Sequence, residues 1–414
     1  MYKPYLYDRT PSLPTFVKVR WGGLAQAIDF YADFTRGLYW IRGVGIVSVG
    51  QFISLAGSGT EYAVNSSGVL EAFATTVPAI QSGMGFQIFE GRTNLVLQSQ
   101  TFDNASWTKG ATTVSADATT APDGTSTADK IVEASGTSVH EIYRAYTVTA
   151  AAYTWSVYAK AGERTWIWIN AAEGGTAKMT YFNLATGAVG TNAAGSTASI
   201  QALGDGWYRC VVTRTMVGTS SYMDVGLASA DNTSSYAGDT SKGAYLWGAQ
   251  LELGSFASPY IPTTTGSAAR GARVPSIIGQ AANVFLGAKS IYAQTNAIAG
   301  GSSSRVVEWS GGAQNLSINP TTTVRTSNAA NDADATLGSG ASTSRVKAAF
   351  GFDATSLTSR GNAGTIATSA NAMGTLTGTA YLGNRADGLR ALNGRLEEIA
   401  VSTRVKGLFD GSTA

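Results

Sequence analysis

Strand-length runs in which apolar and polar residues alternate, each closed by a cluster of Gly, Asn, Asp or Ser, recur along most of this chain. "YTWSVYAK" (153–160) sets Tyr153, Trp155, Val157 and Ala159 against Thr154, Ser156, Tyr158 and Lys160. "GWYRCVVTRT" (206–215), "GAYLWGAQLEL" (243–253), "SRVKAAFGF" (344–352) and "GRLEEIAV" (394–401) are equally short and rich in β-branched or aromatic residues. Turn clusters such as "NLATGAVG", "LGDG", "SSGV" and "GNRADG" separate such runs. Side chains alternate between the two faces of a strand, so a period of two marks strands with one face inside. Many short strands of this kind predict an all-β chain of tandem β-sandwich or jelly-roll modules. No repeat of roughly 20–50 residues and no heptad run is present, which argues against solenoids and coiled-coil fibres.

Composition narrows the partners. Of 414 residues only 14% are charged, with 44% apolar and 49 glycines; an average chain is about 25% charged. Solubility must then come from hydroxyl and amide side chains. The formal net charge is +2, from 29 basic and 27 acidic residues without a basic run, which disfavours nucleic acid as a partner. The single cysteine, Cys210, allows no intrachain disulfide and no thiolate metal cluster. The single histidine, His140, removes most metal-ligand and general-base schemes, and no cofactor is expected. "MYKPYLYDRT" lacks the apolar core of a secretory signal, and no run of about 18 apolar residues suggests a membrane span. These features predict a protein made and folded in a cytoplasm, without membrane insertion.

Boundaries are expected at Glu90–Gly91, before "RTNLVLQSQTF", and within "IPTTTGSAARGARVP" (261–275), whose composition is linker-like. The expected domains are an N-terminal strand-rich anchoring segment (1–90), a middle module (91–266) and a C-terminal sandwich (275–414). "KPYLYDRTPSLP" has the Pro and Tyr content of an extended arm lying on another protein; a loose terminus is the plain alternative.

In the middle module, "RTNLVLQSQTFDNASWTKGATTVSADATTAPDGTSTADKIVE", "YTWSVYAKAGERT", "GDGWYRCVVT" and "LWGAQLELGSFASPYIPTT" follow one another over roughly residues 92 to 265. Together they resemble a module of tailed-bacteriophage head-spike and tail-fibre proteins. "IDFYADFTRG…IRGVG" is similar to the segment that leads into "RTNL" in those proteins. "TAYLGNRADGLRALNGRLEEIAVSTRV" resembles the closing strands of concanavalin A-like (laminin G-like) sandwiches. The resemblance implies a middle jelly roll like those of carbohydrate-binding modules and a lectin-like C-terminal sandwich. It implies a virion component, a homotrimer held to other virion proteins by its N-terminal segment. Its loops and grooves would meet host cell-surface polysaccharide or lipopolysaccharide. None of these motifs is itself a ligand signature.

"RTWIWIN" (164–170) is the candidate contact. Thr165, Ile167 and Ile169 make the better core face, which sends Arg164, Trp166, Trp168 and Asn170 outward or into the concave side of the jelly roll. Aromatic planes flanked by Asn and Arg donors suit the C–H faces and hydroxyl rims of sugars. Packing under a loop or against a neighbouring subunit explains the same residues. Trp107, Trp155, Trp207 and Trp247 lie inside the recurring motifs and are expected in the core. Cys210 reads as a small buried hydrophobe, and His140 as a structural hydrogen-bonder.

Enzymatic readings fare poorly, and no catalytic residue is assigned. Glycosidases need two carboxylates flanking one bond. Glu397 and Glu398 are adjacent and expected on opposite faces; Glu163 and Glu173 fall in separate turns. No G-x-S-x-G elbow accompanies His140, and there is no phosphate-binding G-x-x-x-x-G-K-[ST] loop. "NDAD" (331–334) offers Asp332 and Asp334 as a Ca²⁺ candidate, although a polar turn accounts for it as well. Three classes stay open: a glycan-binding adhesin, a purely structural decoration or connector, and a polysaccharide depolymerase.

Overall fold

The computed structural model describes residues 27–297 continuously, with Pro14, Thr15 and Trp21 before them; between 304 and 403 it describes the strands and some of their connections. The chain is an all-β, sandwich-type fold. It divides into two compact units. One comprises Gly59–Ala74 and Gly91–Gly271; the other draws on the chain up to Ser58, Thr75–Glu90 and the chain from Ala272 onward.

The first unit is a sandwich of two six-stranded sheets. Sheet I runs Thr112–Thr119, Ala128–Glu133, Gly243–Leu253, Ala152–Ala161, Trp207–Thr215, Ser196–Ala202. Sheet II runs Thr108–Gly110, Glu141–Thr147, Ser220–Ala228, Trp166–Asn170, Met179–Asn183, Ala188–Val189. Alternation decides what each strand buries. Trp155 and Val157 of sheet I meet Ile167, Ile169, Phe182, Val225 and Leu227 of sheet II in one core, with Trp107 and Cys210. The polar edge of a buried indole still needs a partner: Trp155 Nε1 donates to Tyr222 O at 2.8 Å and Trp107 Nε1 to Gln98 O at 3.0 Å. Trp207 and Trp247 are also buried, but on the opposite face of sheet I. There they pack with Tyr158, Tyr260 and Leu70. Leu70 comes from a hairpin, Glu61–Val64 paired with Leu70–Phe73, that covers this face.

The second unit pairs a ten-stranded sheet with a seven-stranded one among the described residues. Phe30, Phe52, Phe86, Ile291, Trp309, Phe350 and Leu396 fill its core. A short helix, Gly279–Leu286, adds Ala281 and Phe285.

The expected division at 1–90, 91–266 and 275–414 is corrected in two places. The N-terminal segment is not free-standing: Phe30–Asp33 and Gly85–Ile88 pair with Gly394–Ser402, and Ile53–Ala56 pairs with Val274–Ile277. Unpaired strand edges and apolar faces must be covered, and "FYADF" buries Phe30, Ala32 and Phe34 in the C-terminal core. The expected linker 261–275 is also built in. Ala268–Arg270 pairs with Arg92–Asn94, and Ile261 and Thr263 are buried. Apart from Pro14, the expected arm at 3–14 lies outside the described residues. No described helix is long and apolar enough to cross a membrane.

Candidate functional site

The strand Trp166–Asn170 lies between Ser220–Ala228 and Met179–Asn183 in sheet II. Ile167 and Ile169 point into the core, and Trp166, Trp168 and Asn170 take the opposite face. That face is not open at Trp168. The indole is fully buried beside Tyr181 and Ala228, with Val139, Trp166 and Met179 packed around it. It lies over Gly226, where an added Cβ would stand 2.1 Å from Cζ2, and its Nε1 donates to Leu227 O at 3.1 Å. The expectation that both indoles are presented outward is therefore corrected. Trp166 alone is half-buried, and side chains from other strands cover its neighbour.

Arg164 does not join that face as a sugar donor. Its Nε and Nη2 bind Glu133, the latter at 3.0 Å, and its guanidinium lies 4.8 Å from the Tyr236 ring. Tyr236 Oη donates to Glu133 at 2.6 Å and the Asp239 amide does so at 2.8 Å. Burial alone would raise the Glu133 carboxyl; hydrogen bonds from Arg164, Tyr236 and Asp239 bring it below its ordinary range. The network consumes the guanidinium's best donors internally.

Asn170 leads to residues that reading the tryptophan strand alone missed. Its Nδ2 donates to Asp224 Oδ2 at 2.9 Å, and its Oδ1 accepts from the Lys178 amide at 2.7 Å. Asp224 stands opposite Tyr143, Glu141 opposite Gly226, and Tyr222 opposite Ala145, all on the same face by register. Tyr143 and Tyr222 are half-buried and meet edge to face at 6.0 Å. Asp224 is 6% exposed and Asn170 7%. Asp224 Oδ1 has no hydrogen-bond partner, a cost of about 1–3 kcal/mol for a buried acceptor. Burial first, then the Glu141 charge, pushes the Asp224 carboxyl well above the aspartate range, against the Asn170 hydrogen bond. Burial also raises Glu141. The signal was present: "EIYRAYT" alternates Glu141, Tyr143 and Ala145, and "SYMDVGLA" alternates Tyr222, Asp224 and Gly226. This face combines half-open tyrosine rings with a carboxyl–amide floor. It can accept hydroxyl donors and stack against C–H surfaces.

The other predicted positions are accounted for structurally. His140 is buried, with Nδ1 2.8 Å from Ala111 O and Nε2 3.2 Å from Tyr236 O. Glu163 pairs with Lys130 at 2.8 Å, and Glu173 with Arg214 at 3.2 Å. The opposite-face argument for Glu397 and Glu398 is corrected. Gln294 pairs with Glu398 and Thr295 with Leu396, so Glu397 is the extra residue of a β-bulge. Gln294 Nε2 donates to Glu397 at 2.5 Å, so both carboxylates share its face. They are only 8% and 6% exposed, closed to a polysaccharide chain as they stand. Asp332 and Asp334 lie in the strand Asn331–Thr336, whose side chains fall outside the described residues. Among the described residues no group of three or more His, Cys, Asp or Glu is placed to hold a metal ion.

No family model matches the chain, and no curated protein matches it. Among solved structures it is similar to the Ruminococcus gnavus IT-sialidase CBM40, at 17% identity over 30% of this chain and 80% of that one, with a TM-score of 0.25. It is also similar to the mouse laminin alpha1 chain, domains LG4-5, at 9% identity over 63% of this chain and 84% of that one, with a TM-score of 0.21. At TM-scores this low, neither likeness carries an argument about this chain, whose fold rests on its own sheets.

Proposed function

We propose that this chain is a non-catalytic glycan-binding protein whose binding surface is the outer face of sheet II. The observation that carries the reading is the unpartnered Asp224 Oδ1 on the face that also presents the half-open rings of Tyr143 and Tyr222. A sugar hydroxyl offers the donor that the buried acceptor lacks, and its C–H face fits against tyrosine. Trp166 extends the same face, whereas Trp168 serves as its support.

The biological setting follows from the motifs around "RTNL", "YAKAGERT", "GDGWYR" and "LWGAQLE". On that resemblance the chain is a fibre, spike or receptor-binding subunit of a tailed-phage virion, a homotrimer that meets host-surface polysaccharide or lipopolysaccharide. Repetition in a trimer turns several weak contacts into avidity. The burial of Trp168 favours one second reading, a structural connector that binds no sugar.

A glycan array probed with the full chain and with Tyr143→Ala/Tyr222→Ala tests the choice. The variant is expected to lose about tenfold or more in affinity, the stacking energy of two rings, while its melting temperature stays close to wild type. Equal binding by both proteins would move the site elsewhere. Binding by neither, with host adsorption of particles unaffected by deletion of the module, would establish the connector.

A further inference from the structure

Resting on the glycan-binding reading, we propose that this face takes uncharged or amino sugars and rejects sugars that carry a carboxylate. The side chains that the strands bring to this face are acidic, aromatic, thioether or amide. Glu141–Thr147 contributes Glu141 and Tyr143; Ser220–Ala228 contributes Tyr222 and Asp224; Trp166–Asn170 contributes the amide of Asn170; Met179–Asn183 contributes Met179 and Tyr181. Lys109, on the neighbouring strand Thr108–Gly110, is turned away: its Nζ donates to the carbonyls of Asp103, Asn104 and Trp107. Lys178 meets the face through its backbone amide on Asn170. Among the described residues no Lys or Arg forms an ion pair with Asp224 or Glu141.

Two carboxyl groups without a cation cannot readily receive a third. A uronic or sialic-type carboxylate would have to be desolvated beside two carboxyls that no guanidinium or ammonium neutralises. A neutral sugar brings only hydroxyl donors. An amino sugar brings an ammonium that the pair can neutralise. Both carboxyls are already held above their ordinary range, so acidification lowers the barrier by keeping them uncharged while the sugar's own carboxylate stays ionised. Rejection of acidic sugars is then strongest at alkaline pH.

The test is an array of matched oligosaccharides in neutral, amino and uronic forms, read with the full chain at about pH 8 and about pH 5. At the higher pH the uronic members are expected to bind about tenfold or more weakly than their neutral counterparts, and the gap should narrow at the lower pH. Asp224→Asn/Glu141→Gln should narrow it at both. If that double variant fails to fold, the pH arm on the wild-type chain decides. Uronic members binding as tightly as neutral ones at the higher pH would overturn the charge rule and leave the glycan-binding reading intact. Binding to no member of any class would overturn both.

Discussion

Tyr62 and Tyr260 meet edge to face, with ring centroids 5.7 Å apart. Tyr62 belongs to the hairpin Glu61–Val64/Leu70–Phe73, and Tyr260 to the aromatic cluster over sheet I that includes Trp207 and Trp247. The hairpin therefore shields indoles that the sequence alone places in a sandwich core. Leu70→Ala should cost about 2–4 kcal/mol, read by urea unfolding. A rise in binding of a hydrophobic dye should accompany it, because the indole face is uncovered. A loss of stability without dye binding would mean that the hairpin packs but does not shield.

Gly226→Ala should destabilise the sandwich by about 1–3 kcal/mol through overpacking against Trp168. Adding Trp168→Phe removes the atoms in the way, so the double variant should recover part of that loss in thermal melts. Strict additivity of the two changes would place the strain elsewhere.

Asp224 gives a pH signature. Its folded carboxyl is held above the unfolded value, so its contribution is full below about pH 4 and is lost as pH rises through the folded value. Asp224→Asn removes that loss. The variant should gain stability relative to wild type as pH rises, in denaturant titrations across that window. A constant difference would argue that Asp224 is not the group responsible.

Glu133 has the opposite sign. Its folded carboxyl lies below the ordinary range, so the contribution is full above about pH 4.3 and is lost as pH falls through the folded value. Arg164→Met leaves Glu133 buried without its cation and should cost about 3–5 kcal/mol at neutral pH. It should also flatten the acid limb of the stability profile. Glycan binding by this variant should persist, since Arg164 is committed to Glu133.

Alternation in the sequence foretold the all-β class and the inward turn of Ile167 and Ile169. It could not foretell the covering of Trp168, because Val139 and Tyr181 arrive from other strands and the opposing position had to be a glycine. The bulge at Glu397 escaped for a related reason: an extra residue shows only when the partner strand is known. The same limit applies to the boundaries. The chain passes between units at Glu90–Gly91, but pairing between early and late strands leaves no local trace. Asp224 and Glu141 were legible as alternating residues on two strands, and only their adjacency was not.

The strand Phe30–Asp33 hydrogen-bonds to Gly394–Ser402, with Tyr31 opposite Ala400. During synthesis the earlier strand must wait, edge exposed, until nearly the whole described chain has left the ribosome. The sandwich made largely from Gly91–Gly271 is complete long before that. Closure across so long a separation is slow, and the waiting edge invites pairing with a neighbouring nascent chain. Vectorial folding thus ripens the middle sandwich first and makes the outer one the step at which misassembly begins.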